Sequence, residues 1–238
     1  MASKRAEHMR ERLEFLECQV TTISFGLRAL RPLKKLYEDV RANTLERGVK
    51  IGKKEHEEYS GFDGVKMRWY FANSPKAIGI FRAVVDGCRL KRARAIVGTR
   101  RDRVRVVQAS FVEIEGSYPR GRWHSDFTDK DLGLNRSATM LTPLFTFHRT
   151  FGGLEVTAAK RGMSLDFDKY AHVYRYRDGE AVLFDASGMI HRTQGYRAKP
   201  TAVRVLVCWQ FADTSRTLWP ALRRIGRQNG DPMFLFPH

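Results

Sequence analysis

The stretch AVRVLVCWQF, residues 202–211, decides the reading of the fold. In an extended chain successive side chains point to opposite faces. Ala202, Arg204, Leu206, Cys208 and Gln210 then share one face, while Val203, Val205, Val207, Trp209 and Phe211 form an uninterrupted apolar one. An apolar face of that length needs a covering layer. Upstream, short apolar stretches rich in β-branched residues recur at 104–114, 138–147, 153–156, 172–176 and 181–184. Turn signals at Phe151-Gly-Gly and Asp178-Gly-Glu part them, and no helical pattern interrupts the series. The pattern predicts antiparallel sheets packed as a sandwich or barrel.

The cover is sought in the N-terminal part. Leu13 and Leu16, then Leu30, Leu33, Leu36 and Val40, recur at three- and four-residue steps in segments rich in Lys, Arg and Glu, as amphipathic helices require. Gly48 and Gly52 close that stretch, and KKEHEEYSGFDG (53–64) reads as a polar loop. SPKAIGIFRAVVDGC (74–88) offers Ser74 as an N-cap before Pro75 and predicts a further helix ending near Gly87. The class is therefore α+β. Residues 1–102 form a helical support region with a basic run, 103–212 a β core, and 213–238 a tail with a short helix in SRTLWPALRRIG. With the helices over the apolar face of 202–211, Arg204 points inward. There an unpaired guanidinium is costly, and either an internal Asp or Glu or a bound carboxylate would pair with it.

Composition bounds the function classes. Of 238 residues 42% are hydrophobic and 29% charged, which excludes a disordered chain. Cys18, Cys88 and Cys208 are widely spaced and form no CxxC pair, which supports neither a disulfide framework nor a zinc ribbon. The expectation is a reducing compartment, cytoplasmic or nuclear. The N-terminus lacks an apolar signal core, and no apolar run reaches about 18 residues, so neither secretion nor a membrane span is expected. The 43 basic and 26 acidic residues give a formal +17, of which +7 lies in residues 89–105, RLKRARAIVGTRRDRVR. That charge points to anionic partners, nucleic acid among them, or to a solvated helix end and loop.

The chemistry is concentrated in YPRGRWHSDF (118–127). His124 and Asp126, two apart on a strand, present an imidazole and a carboxylate to the same side, where both can ligate one metal ion. A second such pair, His56 and Glu58, lies in the polar loop and has no comparable context. Downstream of the first pair come GGLEV (152–156), GEAVLFDASGMIH (179–191) and Arg204, thirteen residues beyond His191. Alone, His191 would read as a buried, hydrogen-bonded histidine.

In order and spacing these motifs, spanning residues 104–211, resemble the catalytic core of the Fe(II)/2-oxoglutarate-dependent dioxygenases. The resemblance implies a double-stranded β-helix (jelly roll) with the N-terminal helices on its major sheet. It implies Fe(II) held by His124, Asp126 and His191, with adjacent positions left for 2-oxoglutarate and O2, and ascorbate as an accessory reductant. Arg204 would take the distal carboxylate of 2-oxoglutarate. Many relatives place a Ser two residues after that Arg, whereas this chain has Leu206, so another hydroxyl must serve: Tyr118 first, then Thr139 and Thr142. The implied reaction releases succinate and CO2 and hydroxylates a second substrate. The acidic Asp126 argues against halogenation.

Substrate is left open between a small anionic metabolite, a protein side chain and a nucleic-acid base. The basic run, with HSD followed by Asn135, GGLEV and GEAVLFD, is loosely similar to the nucleic-acid-oxidising TET and J-base branch. RAKPTAVR (197–204) departs by one residue from the RxNxTxR pattern of AlkB-type repair enzymes. A catalytically silent, basic nucleic-acid-binding jelly roll is the reading from another class. Trp123 and Phe127 are candidates for an aromatic wall or for packing, and Gly152 and Gly153 for relief of crowding. Arg192 and Arg197 could contact an anionic substrate or face water. Asp185 is not assigned to the metal.

Overall fold

The computed structural model describes residues 20–47, 56–57, 66–72, 74–85, 103–127, 136–157 and 167–229, together with 91, 93, 97 and 132. In chain order the elements are β1 (Val20–Ser24), α1 (Arg31–Arg47), β2 (His56–Glu57), β3 (Lys66–Phe71), α2 (Pro75–Val85), β4 (Val104–Glu115), β5 (Ser137–Pro143), β6 (Leu154–Thr157), β7 (Ala171–Tyr174), β8 (Glu180–Asp185), β9 (Ile190–Thr193), β10 (Val203–Asp213) and α3 (Trp219–Asn229). A large antiparallel sheet has the order β1-β8-β5-β10-β4-β3-β2, and a small one the order β7-β6-β9.

The two faces of β10 go where its alternation sends them. Val205, Val207, Trp209 and Phe211 are covered by Leu30, by Leu33, Tyr37 and Val40 of α1, and by Phe81, Val84 and Val85 of α2. Each such side chain contributes about 1.5–3 kcal/mol by leaving water. Trp209 also donates its indole N–H to the Phe81 carbonyl at 3.0 Å. Helix α2 starts as its sequence predicts, with the Ala77 amide donating to Ser74 Oγ at 3.2 Å. On the other face Leu206, with Val112, Leu141, Val182 and Phe184, meets Leu154, Val156, Tyr174 and Tyr176 of the small sheet and the turn after it. That interior, between the two sheets, holds the site.

The N-terminal region is not only helical. Strand β1 pairs with β8 (Val20 opposite Phe184), and β3 pairs with β4 (Trp69 opposite Val112). His56 and Glu57, in the expected polar loop, form a two-residue strand beside Trp69 and Arg68. These segments are short, and their partners lie far along the chain, so local periodicity carries little of the signal. The helical stripe around Leu13 and Leu16, the closing glycines Gly48 and Gly52, and Gly87 fall outside the described residues. Between α1 and the sheet, the fully buried Glu113 accepts from Arg68 Nη1 at 2.9 Å and from the Tyr37 hydroxyl. Helix α3, found where the tail predicts it, packs Ala221, Leu222 and Ile225 on Val107, Phe127 and Ala186 and closes one end of the sandwich. None of the described helices is long and apolar enough to cross a membrane.

Candidate metal centre

Strand β9 is an edge of the small sheet, and residues 118–124 run antiparallel beside it. Tyr118 and Tyr196 exchange backbone hydrogen bonds at 3.0 and 2.8 Å, the Gly121 amide donates to the Thr193 carbonyl at 3.0 Å, and His124 and His191 exchange a pair at 3.0 and 2.9 Å. Phe127, buried in the core, then anchors the segment by donating its amide to the Ala186 carbonyl at 3.1 Å. Asp126 is held between these two anchor points. The close fit of neighbouring chains needs glycine: a Cβ on Gly152 would lie 2.2 Å from the Gln194 carbonyl oxygen, and one on Gly153 2.2 Å from that of Tyr174. This is the crowding expected of that pair.

His124, Asp126 and His191 each offer a ligand atom, and the three atoms lie within 4.8 Å of one another. His191 Nε2 is 3.4 Å and His124 Nε2 3.8 Å from Asp126 Oδ1. Metal–ligand bonds of about 2.1 Å bring neighbouring ligand atoms about 3–3.5 Å apart, so the trio fits one divalent cation with little movement. His124 Nδ1 lies 2.8 Å from the Arg122 carbonyl. A carbonyl can only accept, so Nδ1 carries the proton and Nε2 presents its lone pair to the centre. Thr139 donates its hydroxyl to Asp126 Oδ2, leaving Oδ1 toward the imidazoles. Burial works against the Asp126 charge, but His191, then His124, together with the Thr139 hydrogen bond, hold the carboxyl down at about 2. His124 is 54% exposed and His191 6%, so the centre opens on the His124 side.

Arg204 lies deep in the same interior at 2% exposure. Its Nε and Nη1 have no hydrogen-bond partner, and neither do the buried hydroxyls of Tyr176 and Tyr196. The guanidinium carbon is 5.6 Å from the centre of the Tyr176 ring and 5.8 Å from that of Tyr196. Burial raises the Tyr176 phenol above its ordinary value, Arg204 pulls it back, and Asp126 adds to the rise, so this ring feels both the arginine and the candidate metal ligand. Four buried polar atoms facing no partner are costly unless a ligand satisfies them. An anion with two acceptor oxygens, a carboxylate, suits this set of donors.

Of the hydroxyls expected beside Arg204, those of Thr139 and Thr142 have other partners. Tyr118 stacks on Tyr196, one of the two rings beside the guanidinium, with ring centres 6.3 Å apart. Thr139 serves Asp126, and Thr142 shares the helix-covered face with Ala138 and Met140, donating to the Glu180 carbonyl at 2.7 Å. Sequence reasoning missed Tyr176 and Tyr196. The available signal for Tyr176 was its two-residue step from Tyr174, the alternation that puts both on the inner face.

Arg192 neither faces water nor reaches into the metal site. It is buried, donates Nε to Glu155 and Nη2 to Asp168, and lies 4.0 Å over the Trp123 ring. Arg120 grips the same Glu155 through Nε and Nη2, both at 3.0 Å. Trp123 thus packs against Arg192 and Phe167, Phe127 belongs to the core, and Arg197 is exposed. Asp185 accepts from the Ser187 amide and hydroxyl at 3.0 and 2.8 Å, shaping the turn from β8 to β9. Most of the basic run lies outside the described residues. Its last residues, Arg103 and Arg105, flank the start of β4, where Val104 pairs with Asp213.

No protein-family model and no curated protein matches the sequence. Solved structures do match in shape. Iron-bound EctD from S. alaskensis superposes with a TM-score of 0.64 at 16% identity, covering 86% of this chain and 76% of that one. HygX from Streptomyces hygroscopicus, with nickel and 2-oxoglutarate bound, gives 0.56 at 13% identity over 86% and 87%. The non-heme alpha ketoglutarate dependent epimerase SnoN of nogalamycin biosynthesis gives 0.62 at 12% over 89% and 84%. What the chain shares with these proteins is their fold.

Proposed function

We propose that the protein is an Fe(II)- and 2-oxoglutarate-dependent dioxygenase on a double-stranded β-helix, which hydroxylates a second, organic substrate and releases succinate and CO2. The observation that carries this reading is Arg204 with Tyr176 and Tyr196, a buried set of unpartnered donors in the same interior as a two-histidine, one-carboxylate trio. The trio by itself would suit several divalent metals. A carboxylate receptor placed deeper in the same interior selects a metal partnered by an acidic co-substrate.

His124, Asp126 and His191 would hold the ferrous ion, which when bound supplies the redox chemistry that couples decarboxylation of the 2-oxo acid to oxidation of a C–H bond. Arg204 orients the co-substrate by its distal carboxylate, and the Tyr176 and Tyr196 hydroxyls complete that grip. Leu141, Phe184 and Leu206 keep water from the space between. Thr139 holds the Asp126 carboxylate in its ionised, ligating form. The second substrate approaches from the open His124 side.

The test is succinate release from 2-oxoglutarate with Fe(II) under air, across a panel of nucleic acids, peptides and small acids. The reading expects slow release by the protein alone, loss of that release in His124→Ala, and stimulation by one class of the panel. Release that is equal in the intact protein and His124→Ala would overturn it.

A further inference from the structure

Strand alternation puts Leu154 and Val156 of β6 on the interior face, so Glu155 points out of the other side of the small sheet, away from the metal trio. It is nevertheless 5% exposed, and it accepts from three N–H groups: Nε and Nη2 of Arg120 and Nε of Arg192. Arg192 is directly opposite Glu155 in the β6–β9 pairing, and the next pair along is Val156 with His191. Arg192 therefore follows one candidate ligand in sequence, and the ring it stacks on, Trp123, precedes another. Asp168 adds a second carboxylate to both arginines, at 3.2 Å from Arg120 Nη2 and in contact with Arg192 Nη2.

The backbone pairing beside this cluster is sparse. Residues 118–124 run beside β9 and the turn after it without a continuous ladder: isolated bridges join Tyr118 with Tyr196 and His124 with His191, and one further backbone bond runs from the Gly121 amide to the Thr193 carbonyl. So sparse a set of backbone bonds resists twisting of the segment less than a continuous ladder would. A single carboxylate bonded to Arg120 of that segment and to Arg192 of β9 ties the two chains together at a point between the bridges.

We propose that Glu155 is a positioning residue of the metal centre: through Arg120 and Arg192 it locks the 118–124 segment to β9 and so fixes His124 against His191. This rests on the metal-binding reading above, and the test separates the two. In Glu155→Gln one anionic acceptor becomes a neutral amide that both donates and accepts, so the three N–H groups can no longer be matched. In Glu155→Asp the charge is kept. Glu113→Gln, which removes a buried carboxylate on the opposite side of the large sheet, serves as a control for loss of stability alone.

The probe is Co(II), titrated alone into the metal-free full-length protein and followed by its visible absorption. Glu155→Gln is expected to bind it about 10-fold or more weakly than the intact protein, as supporting partners of ligands do. Glu155→Asp recovers most of the affinity, and Glu113→Gln retains it despite a lower melting temperature. In parallel, amide hydrogen exchange on the metal-free proteins should be faster in Glu155→Gln at Gly121, His124 and His191, and unchanged in β4 and β10. Equal Co(II) affinity and equal exchange in the intact protein and Glu155→Gln would overturn the proposal, as would equal weakening by Glu113→Gln. If the intact protein bound no Co(II), the metal reading would fail, and the exchange experiment would still decide whether Glu155 holds the segment.

Discussion

His124 donates its amide to the His191 carbonyl at 3.0 Å and accepts the reverse bond at 2.9 Å, so two of the three candidate ligands are a cross-strand pair before any metal binds. Their ring centres are 4.4 Å apart, and Asp126 reaches the pair from two residues further along. A preformed arrangement means that removing one ligand should cost metal affinity far more than it costs the fold. His124 is half exposed and belongs to none of the hydrophobic clusters among the described residues. His124→Ala should therefore keep a melting temperature near that of the intact protein while Co(II) affinity falls by more than about 100-fold, beyond the loss expected for an outer-shell partner. Calorimetric titration beside thermal unfolding measures both.

Arg204 gives a prediction of opposite sign for stability and for binding. Its guanidinium is buried with two nitrogens unpartnered, so Arg204→Met should stabilise the ligand-free protein, by about 1–3 kcal/mol for the unmet polar group. The same change should abolish the rise in melting temperature that 2-oxoglutarate gives the intact protein. Thermal unfolding with and without 2-oxoglutarate tests both signs.

The two tyrosines and Thr142 separate cleanly. Tyr176→Phe and Tyr196→Phe should each weaken 2-oxoglutarate binding about 10-fold, as loss of a hydrogen bond to a charged group does. Thr142→Val should leave it within about twofold, since the Thr142 hydroxyl lies on the helix-covered face and is bonded to the Glu180 carbonyl. Equilibrium binding of 2-oxoglutarate to the metal-loaded variants ranks them.

Asp126 sets a pH dependence. Its carboxyl is held at about 2 against an ordinary 3.8, so the folded state binds the proton more weakly than the unfolded state. The stability this gives is fully present above about pH 4 and is lost as pH falls through about 2. The difference corresponds to about 2 kcal/mol in the metal-free protein. Urea unfolding at pH 6, 4 and 2.5 should show the intact protein losing this increment relative to Asp126→Asn.

Gly153→Ala should destabilise the fold by about 1–3 kcal/mol, because the added methyl meets a backbone carbonyl that no rotamer can move. The urea midpoint would fall with an unchanged slope.

The legible part of the molecule is the part governed by strand parity. Two residues of separation put His124 and Asp126 on one side, and the alternation from Val203 to Phe211 assigned the helices to one face and Arg204 to the other. The same rule, applied to Thr139 and Thr142, would have separated them, since an odd step changes faces. The Arg204 partners were less accessible. Tyr176 lies just past the end of β7 and Tyr196 past β9, in turns whose course depends on Gly152, Gly153 and the packing of distant chains. Strands β1 and β3 were hidden for a related reason: each is stabilised by a partner far away in sequence, Val20 by Phe184 and Trp69 by Val112.

The central claim is that one interior holds a ferrous ion and 2-oxoglutarate together. Anaerobic addition of Fe(II) and 2-oxoglutarate to the intact protein should produce a weak visible charge-transfer absorption that requires both additions and disappears in His124→Ala and Arg204→Met. Absence of that absorption in the intact protein, or its persistence in both variants, would contradict the account.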